Sequence, residues 1–169
     1  MGAQLCTAFG QISARCRSGI NVEIQPHSRN LRHGRFSQTG QIYLLTMVSV
    51  DRSPVFGDLS AARRVTRAMH APTVVSAAET LAFVVMPDHV HWLMQLKDGA
   101  SLGEAVRRFK ARVSLAFGFS VWQRGFHDHA LRRGEDVVTV ARYIVANPVR
   151  AGLVRRIGDF PHWDAAWLD

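Results

Sequence analysis

Blocks of strand-like and helix-like hydrophobic spacing follow one another along this chain from residue 41 onward. Gln41-Ile42-Tyr43-Leu44-Leu45-Thr46-Met47-Val48-Ser49-Val50 is apolar, rich in β-branched residues and of strand length. Asp58-Leu59-Ser60 offers a cap for a helix from Ala61 to Met69, which Ala71-Pro72 breaks. Residues 73–79 read as a second helical stretch or a loop. Residues 81–86 and 89–96 are two strand runs that meet at Pro87-Asp88, a hairpin-like corner. Ser101 caps a helix from Leu102 to Phe117, whose apolar stripe is Leu102, Ala105, Val106, Phe109, Val113 and Ala116. A short strand follows from Phe126 to Arg132. Gly134-Glu135-Asp136 then opens a last helix, with acids in the first turn to suit its dipole. Pro148 ends that helix, because the residue before a proline avoids the α region. The order β-α-β-β-α-β-α predicts an α+β fold, with helices packed on an antiparallel central sheet. Residues 1–30 lack sustained periodicity and read as a flexible N-terminal extension; residues 31–169 read as a single domain.

Bulk composition narrows the partners. A chain of 169 residues is long enough to bury a core in one domain. Lys and Arg total 21 against 13 Asp and Glu, a formal net charge of +8, and the pI is near 10.9. Such a surplus favours polyanions through counterion release at phosphates, without separating DNA from RNA or from an acidic membrane surface. No run approaches the ~18 apolar residues that span a bilayer. Cys6 and Cys16 have no zinc spacing and form no disulfide framework, which fits a reducing cytoplasm. The start of the chain has no signal-peptide pattern.

Candidate chemistry sits in two places. Alternate residues of a strand share a face, so His89 and His91 point the same way while Val90 enters the other layer. Two adjacent imidazoles are half of a metal site, or else a structural polar pair. Asp88 is a partner for one imidazole or a turn former. His127-Asp128-His129 repeats the pattern as a rival pair, and spacing does not choose between them. In the last helix Tyr143 and Asn147, four apart, share a face off the stripe of Val137, Val140, Ala141, Ile144 and Val145. Tyr143 is a nucleophile or a surface tyrosine, and Asn147 an oxygen ligand or a helix terminator. Tyr43, inside an apolar strand, reads as core. A metal, a tyrosine and an oxygen ligand together make a phosphoryl-transfer set.

Four segments carry a family resemblance. They are Leu31-Arg32-His33-Gly34-Arg35-Phe36-Ser37 with Gln41-Ile42-Tyr43; Val85-Met86-Pro87-Asp88-His89-Val90-His91; Val121-Trp122-Gln123-Arg124-Gly125-Phe126-His127-Asp128-His129; and Tyr143-Ile144-Val145-Ala146-Asn147-Pro148-Val149-Arg150-Ala151-Gly152-Leu153-Val154. In this order they resemble the REP-associated tyrosine transposases, a branch of the single-tyrosine HUH transposases. The resemblance runs from about Leu31 to the C-terminus and implies a ferredoxin-like HUH core. It implies His89 and His91 as metal ligands, Asn147 as the third, Tyr143 as the nucleophile, and a loop with Arg32, Arg35 and Ser37 that reads a short tetranucleotide beside a DNA hairpin. It implies Mg²⁺ or Mn²⁺, whereas two imidazoles alone would suit zinc, copper or nickel.

With that resemblance, Arg107, Arg108, Lys110, Arg112, Arg124 and Arg150 read as phosphate contacts, and Asp88 and His129 as supports behind the ligands. Trp122 and Phe126 either stack unpaired bases or belong to the core. The expected activity is metal-dependent cleavage and strand transfer of single-stranded DNA at palindromic hairpins through a 5′-phosphotyrosine. The expected partner is single-stranded or hairpin DNA and no membrane, for a monomer or homodimer in the cytoplasm, on the nucleoid when bound. The alternatives are a domesticated hairpin-binding protein that no longer cleaves, and a metal-dependent nuclease in which water attacks.

Overall fold

The computed structural model describes residues 38–167. The extension expected over residues 1–30, and Arg32, Arg35 and Ser37 of the expected reading loop, lie outside the described residues. In chain order the main elements are β1 (Ile42–Val48), α1 (Leu59–Met69), α2 (Pro72–Val75), β2 (Ala78–Val85) and β3 (His89–Leu96). They continue with α3 (Leu102–Phe117), β4 (His127–Ala130), α4 (Val137–Val145), α5 (Asn147–Arg150) and β5 (Trp163–Ala165). The sheet runs β4-β1-β3-β2-β5, and every neighbouring pair is antiparallel. The path from β1 to β4 is β-α-β-β-α-β, the ferredoxin-like order, so the expected α+β class holds. Among the described residues no helix is long and apolar enough to cross a membrane.

Strand alternation sorts the core into two layers. Tyr43, Leu45 and Met47 of β1, with Val90, Trp92 and Met94 of β3, face α1 and α3, where Val65, Met69, Val106 and Phe109 meet them. Leu44 and Leu93 face the opposite way and pack with Val140, Ala141, Ile144 and Val145 of α4. Thr46, His89 and His91 share the parity of Leu44 and Leu93. They therefore belong to the α4 layer. Helix starts are capped as their sequences suggest: Asp58 accepts from the Ala61 amide, Ser101 from that of Glu104, and Asp136 from those of Val138 and Thr139.

Three boundaries differ from the hydrophobic pattern. β2 begins at Ala78, within the stretch read as helix or loop, and its pairing with β3 shifts between Thr80 and Ala82. That bulge turns Leu81 and Ala82 into the same cluster, which breaks the alternation. α4 stops at Val145, and Asn147 opens α5 with Pro148 in its first turn, where a missing N–H costs nothing. Tyr143 and Asn147 thus sit on consecutive helices. β5, three residues long, pairs with the edge of β2 and was not signalled by any periodic run. Tyr43 is core as expected, and so is Trp122.

Candidate active site

The β2–β3 corner delivers His89 and His91 to the α4 layer with their rings edge to face, centroids 4.8 Å apart. Each Nδ1 is engaged behind the ring. Asp88 Oδ1 lies 2.5 Å from His89 Nδ1, and Thr46 Oγ1 lies 2.9 Å from His91 Nδ1. Asp88 is itself held by Arg52, whose Nη1 donates to Oδ2 at 2.8 Å. Asp51 and Arg52 both have left-handed backbone, φ 52° and 53°, which non-glycine residues adopt rarely and mostly where other contacts hold them. A carboxylate at Nδ1 makes that nitrogen the donor, so in the neutral ring the lone pair is on Nε2.

The two Nε2 atoms converge to 3.2 Å. At that spacing two bare lone pairs repel, so the gap calls for one proton or one cation. Two nitrogens each ~2.1 Å from an ion at 90–110° would stand ~3.0–3.4 Å apart, so the pair fits a shared metal. Burial drives the pKa of His91 down to about 3, with repulsion from His89 and Arg150 adding to it and Asp88 opposing. The ring is accordingly neutral and able to donate a lone pair. Among the described residues no three His, Cys, Asp or Glu side chains gather around a metal position. Two imidazoles would need an oxygen from elsewhere, and an amide such as that of Asn147 is of the right chemistry for a hard divalent ion.

Tyr143 is half-buried on α4 and lines a small cavity with Leu44, Val140, His129 and Glu135. Leu44 is two residues from Thr46 on β1, so the cavity adjoins the sheet row that carries His91. Arg150 spans the tyrosine and the asparagine. Its Cζ is 3.7 Å from the Tyr143 ring centroid, and its Nη2 donates to the Tyr143 carbonyl at 2.7 Å and to Asn147 Oδ1 at 2.8 Å. Asn147 Nδ2 donates to the Ile144 carbonyl at 2.8 Å. Hydrogen bonding therefore assigns which amide atom is the oxygen.

The rival histidine pair is arranged differently. His127 and His129 lie on β4 on the same face, but β1 separates them from β3, a distance of ~10 Å for two strand spacings. His129 Nε2 is bound by both oxygens of Glu135, at 3.0 and 3.1 Å, and Glu135 also accepts the Arg132 amide. His129 is a neighbour of Tyr143 and has no contact with His89 or His91 among its hydrogen bonds.

The basic residues divide by layer. α3 packs on the sheet face away from His89 and His91, so Arg107, Arg108, Lys110 and Arg112 are not gathered at Tyr143. Arg108 is tied to Glu104, Ser76 and the Thr73 carbonyl. Lys110 donates to the carbonyls of Gln123 and Gly125 beside the Trp122 ring. Arg107, Arg112 and Arg124 are exposed, and Arg107 and Arg124 border one open cleft between α3 and residues 120–126. Thr46, Arg52 and Glu135 were missed from sequence. Only Thr46 left a trace, as the lone polar residue of an apolar strand.

Comparison with known proteins places this arrangement in a family. Residues 37–147 match the family model described as "Transposase IS200 like". A Haemophilus influenzae protein described as a REP-associated tyrosine transposase is 28% identical over 144 residues, covering 73% of this chain and 78% of that one. A REP-associated tyrosine transposase of Escherichia coli is 34% identical over 85 residues, 49% of this chain and 52% of that protein. A solved REP-associated tyrosine transposase bound to a REP hairpin superposes with a TM-score of 0.67 at 26% identity, covering 78% of this chain and 80% of that one. A match running from just before β1 to the first residue of α5 takes in strands β1 to β4 and the helices between them, and on it the chain belongs to the family of IS200-like, REP-associated tyrosine transposases.

Proposed function

We propose that this protein cleaves and rejoins single-stranded DNA at palindromic hairpins, with Tyr143 as nucleophile and residues 31–169 as its one working domain. The observation that carries the reading is a shared layer: the converging Nε2 atoms of His89 and His91 lie on the sheet face covered by the helix of Tyr143. The likeness to a transposase solved with a DNA hairpin supports the substrate class. His89, His91 and Asn147 would hold Mg²⁺ or Mn²⁺, which when bound supplies positive charge to the oxygens of the scissile phosphate.

The protein's own groups account for the rest. The Tyr143 oxygen attacks phosphorus and the bond to the 3′ oxygen of the neighbouring nucleotide breaks. The phenol loses its proton and the departing oxygen gains one, leaving a 5′-phosphotyrosine and a free 3′-hydroxyl. A 3′-hydroxyl attacking the same phosphorus reverses the exchange and releases Tyr143, so the phosphodiester energy is kept without ATP. The guanidinium of Arg150, over the ring, places a positive charge beside the attacking group. Asp88 and Thr46, each bonded at Nδ1, orient the two imidazoles so that both Nε2 atoms face the shared gap. Arg32, Arg35 and Ser37 would read the bases beside the hairpin, and exposed arginines such as Arg107, Arg112 and Arg124 would meet its phosphates.

The test uses end-labelled single-stranded palindromes from DNA flanking the gene, with wild type and Tyr143→Phe, in Mg²⁺, Mn²⁺ or EDTA. Denaturing gels should show a metal-dependent protein adduct at the 5′ end of the fragment downstream of the break, absent in the variant, which still binds the hairpin. Cleavage without an adduct would point to attack by water. Binding to true flanking sites with no cleavage would mark a domesticated binder.

A further inference from the structure

One guanidinium joins groups that the proposed reaction uses separately. Both hydrogens of Arg150 Nη2 are committed, one to the Tyr143 carbonyl and one to Asn147 Oδ1. The same cation lies over the Tyr143 ring at 3.7 Å. The Asn147 amide is thereby held at both ends, by Arg150 on its oxygen and by the Ile144 carbonyl on its nitrogen. An amide oxygen has two lone pairs, so Arg150 occupies one and leaves the second for another partner. The helix breaks at Ala146, between Tyr143 and Asn147, where the C-cap of α4 meets the start of α5. Across that break the Asn147 amide reaches the α4 backbone at Ile144, and Arg150 joins it to Tyr143 through its two hydrogen bonds and its contact with the ring.

We propose that Arg150 is a positioning residue, which sets the Tyr143 ring and the Asn147 oxygen in one arrangement across the α4–α5 break. The inference rests on Tyr143 being the nucleophile. Arg150 acts through the two side chains it holds, and its charge near the ring is available without any move by the protein. Lysine cannot replace it, since a point charge on a flexible stem does not stack flat while donating twice from one nitrogen. A misplaced nucleophile costs on the order of 10²-fold in rate.

The chain has two tyrosines, Tyr43 in the core and Tyr143 at the site, so 3-fluorotyrosine labelling gives two fluorine NMR lines. Wild type, Arg150→Ala, Arg150→Lys and Tyr143→Phe are compared without metal by fluorine NMR. Single-turnover adduct formation on a labelled flanking hairpin is then followed at saturating Mn²⁺. In Arg150→Ala the Tyr143 line should shift and narrow while the Tyr43 line stays, showing an intact fold. The adduct rate should drop about 10²-fold with hairpin affinity within about 3-fold of wild type. Methylguanidinium should restore about 10-fold or more of that loss, and Arg150→Lys less than the whole. A Tyr143 line that does not move, a rate within about 3-fold of wild type, or an affinity that falls as far as the rate would overturn the inference and leave the tyrosine reading standing. A wild type that forms no adduct beyond that of Tyr143→Phe would sink both.

Discussion

Thr46 shows how much of the site depends on a residue that carries no chemistry of its own. Its hydroxyl, 2.9 Å from His91 Nδ1, decides how that ring is turned and which nitrogen faces the gap shared with His89. Thr46→Val keeps a β-branched side chain of similar size in β1 and removes only that hydroxyl. Partners of this kind are worth about 10–100-fold in metal affinity, so calorimetric Mn²⁺ titration of Thr46→Val should show a loss in that range with unchanged circular dichroism. The histidines themselves were legible because strand alternation places residues two apart on one face whatever the fold. Thr46 was not, because it meets His91 through a register 45 residues away in sequence, and that register exists only in the assembled sheet. Arg52 was hidden for the same reason, reaching Asp88 from a left-handed turn that no side-chain pattern announces.

Elements were legible where burial follows a single period. The stripe of α4 follows the predicted one: Val140, Ala141, Ile144 and Val145 are buried with Leu44, Leu93 and Ala165, and Val137 in the first turn is half-buried against the same cluster. Ile144 is fully buried there, so Ile144→Ala should cost about 2–5 kcal/mol, read as a lower urea midpoint with an unchanged m-value. The start of β2 and the whole of β5 escaped because a bulge and a three-residue edge strand are too irregular or too short for a period to form. α3 was placed correctly, yet its charged face was not one surface. Lys110 turns inward to the carbonyls of Gln123 and Gly125, and burial lowers its pKa from 10.5 to about 8. Between those two values the unfolded chain keeps a proton that the folded chain has released, so this lysine makes stability rise with pH across that window. Urea midpoints measured from about pH 7 to about pH 10.5 should therefore climb more steeply in wild type than in Lys110→Met.

For the molecule as a whole, composition announced the charge of +8 but not where it sits. Four basic positions on one predicted helix read as phosphate contacts. The structure splits them, with Arg108 and Lys110 bonded to the protein and Arg107 and Arg112 left to solvent on the layer away from Tyr143. Arg124, in the segment that leads into the edge strand β4, borders the same cleft as Arg107, so a hairpin that reaches both layers around that edge meets both. That path makes a quantitative expectation. Each phosphate neutralised contributes about −0.9 to the slope of log K against log salt for a duplex stem, and about −0.7 for unpaired strand. Replacing Arg107, Arg112 and Arg124 together by alanine should flatten that slope by about 2–3, measured by fluorescence anisotropy of a labelled flanking hairpin from low to moderate salt. If neither the affinity nor the slope changes, these three arginines meet no phosphate, and the hairpin stays on the layer of α4.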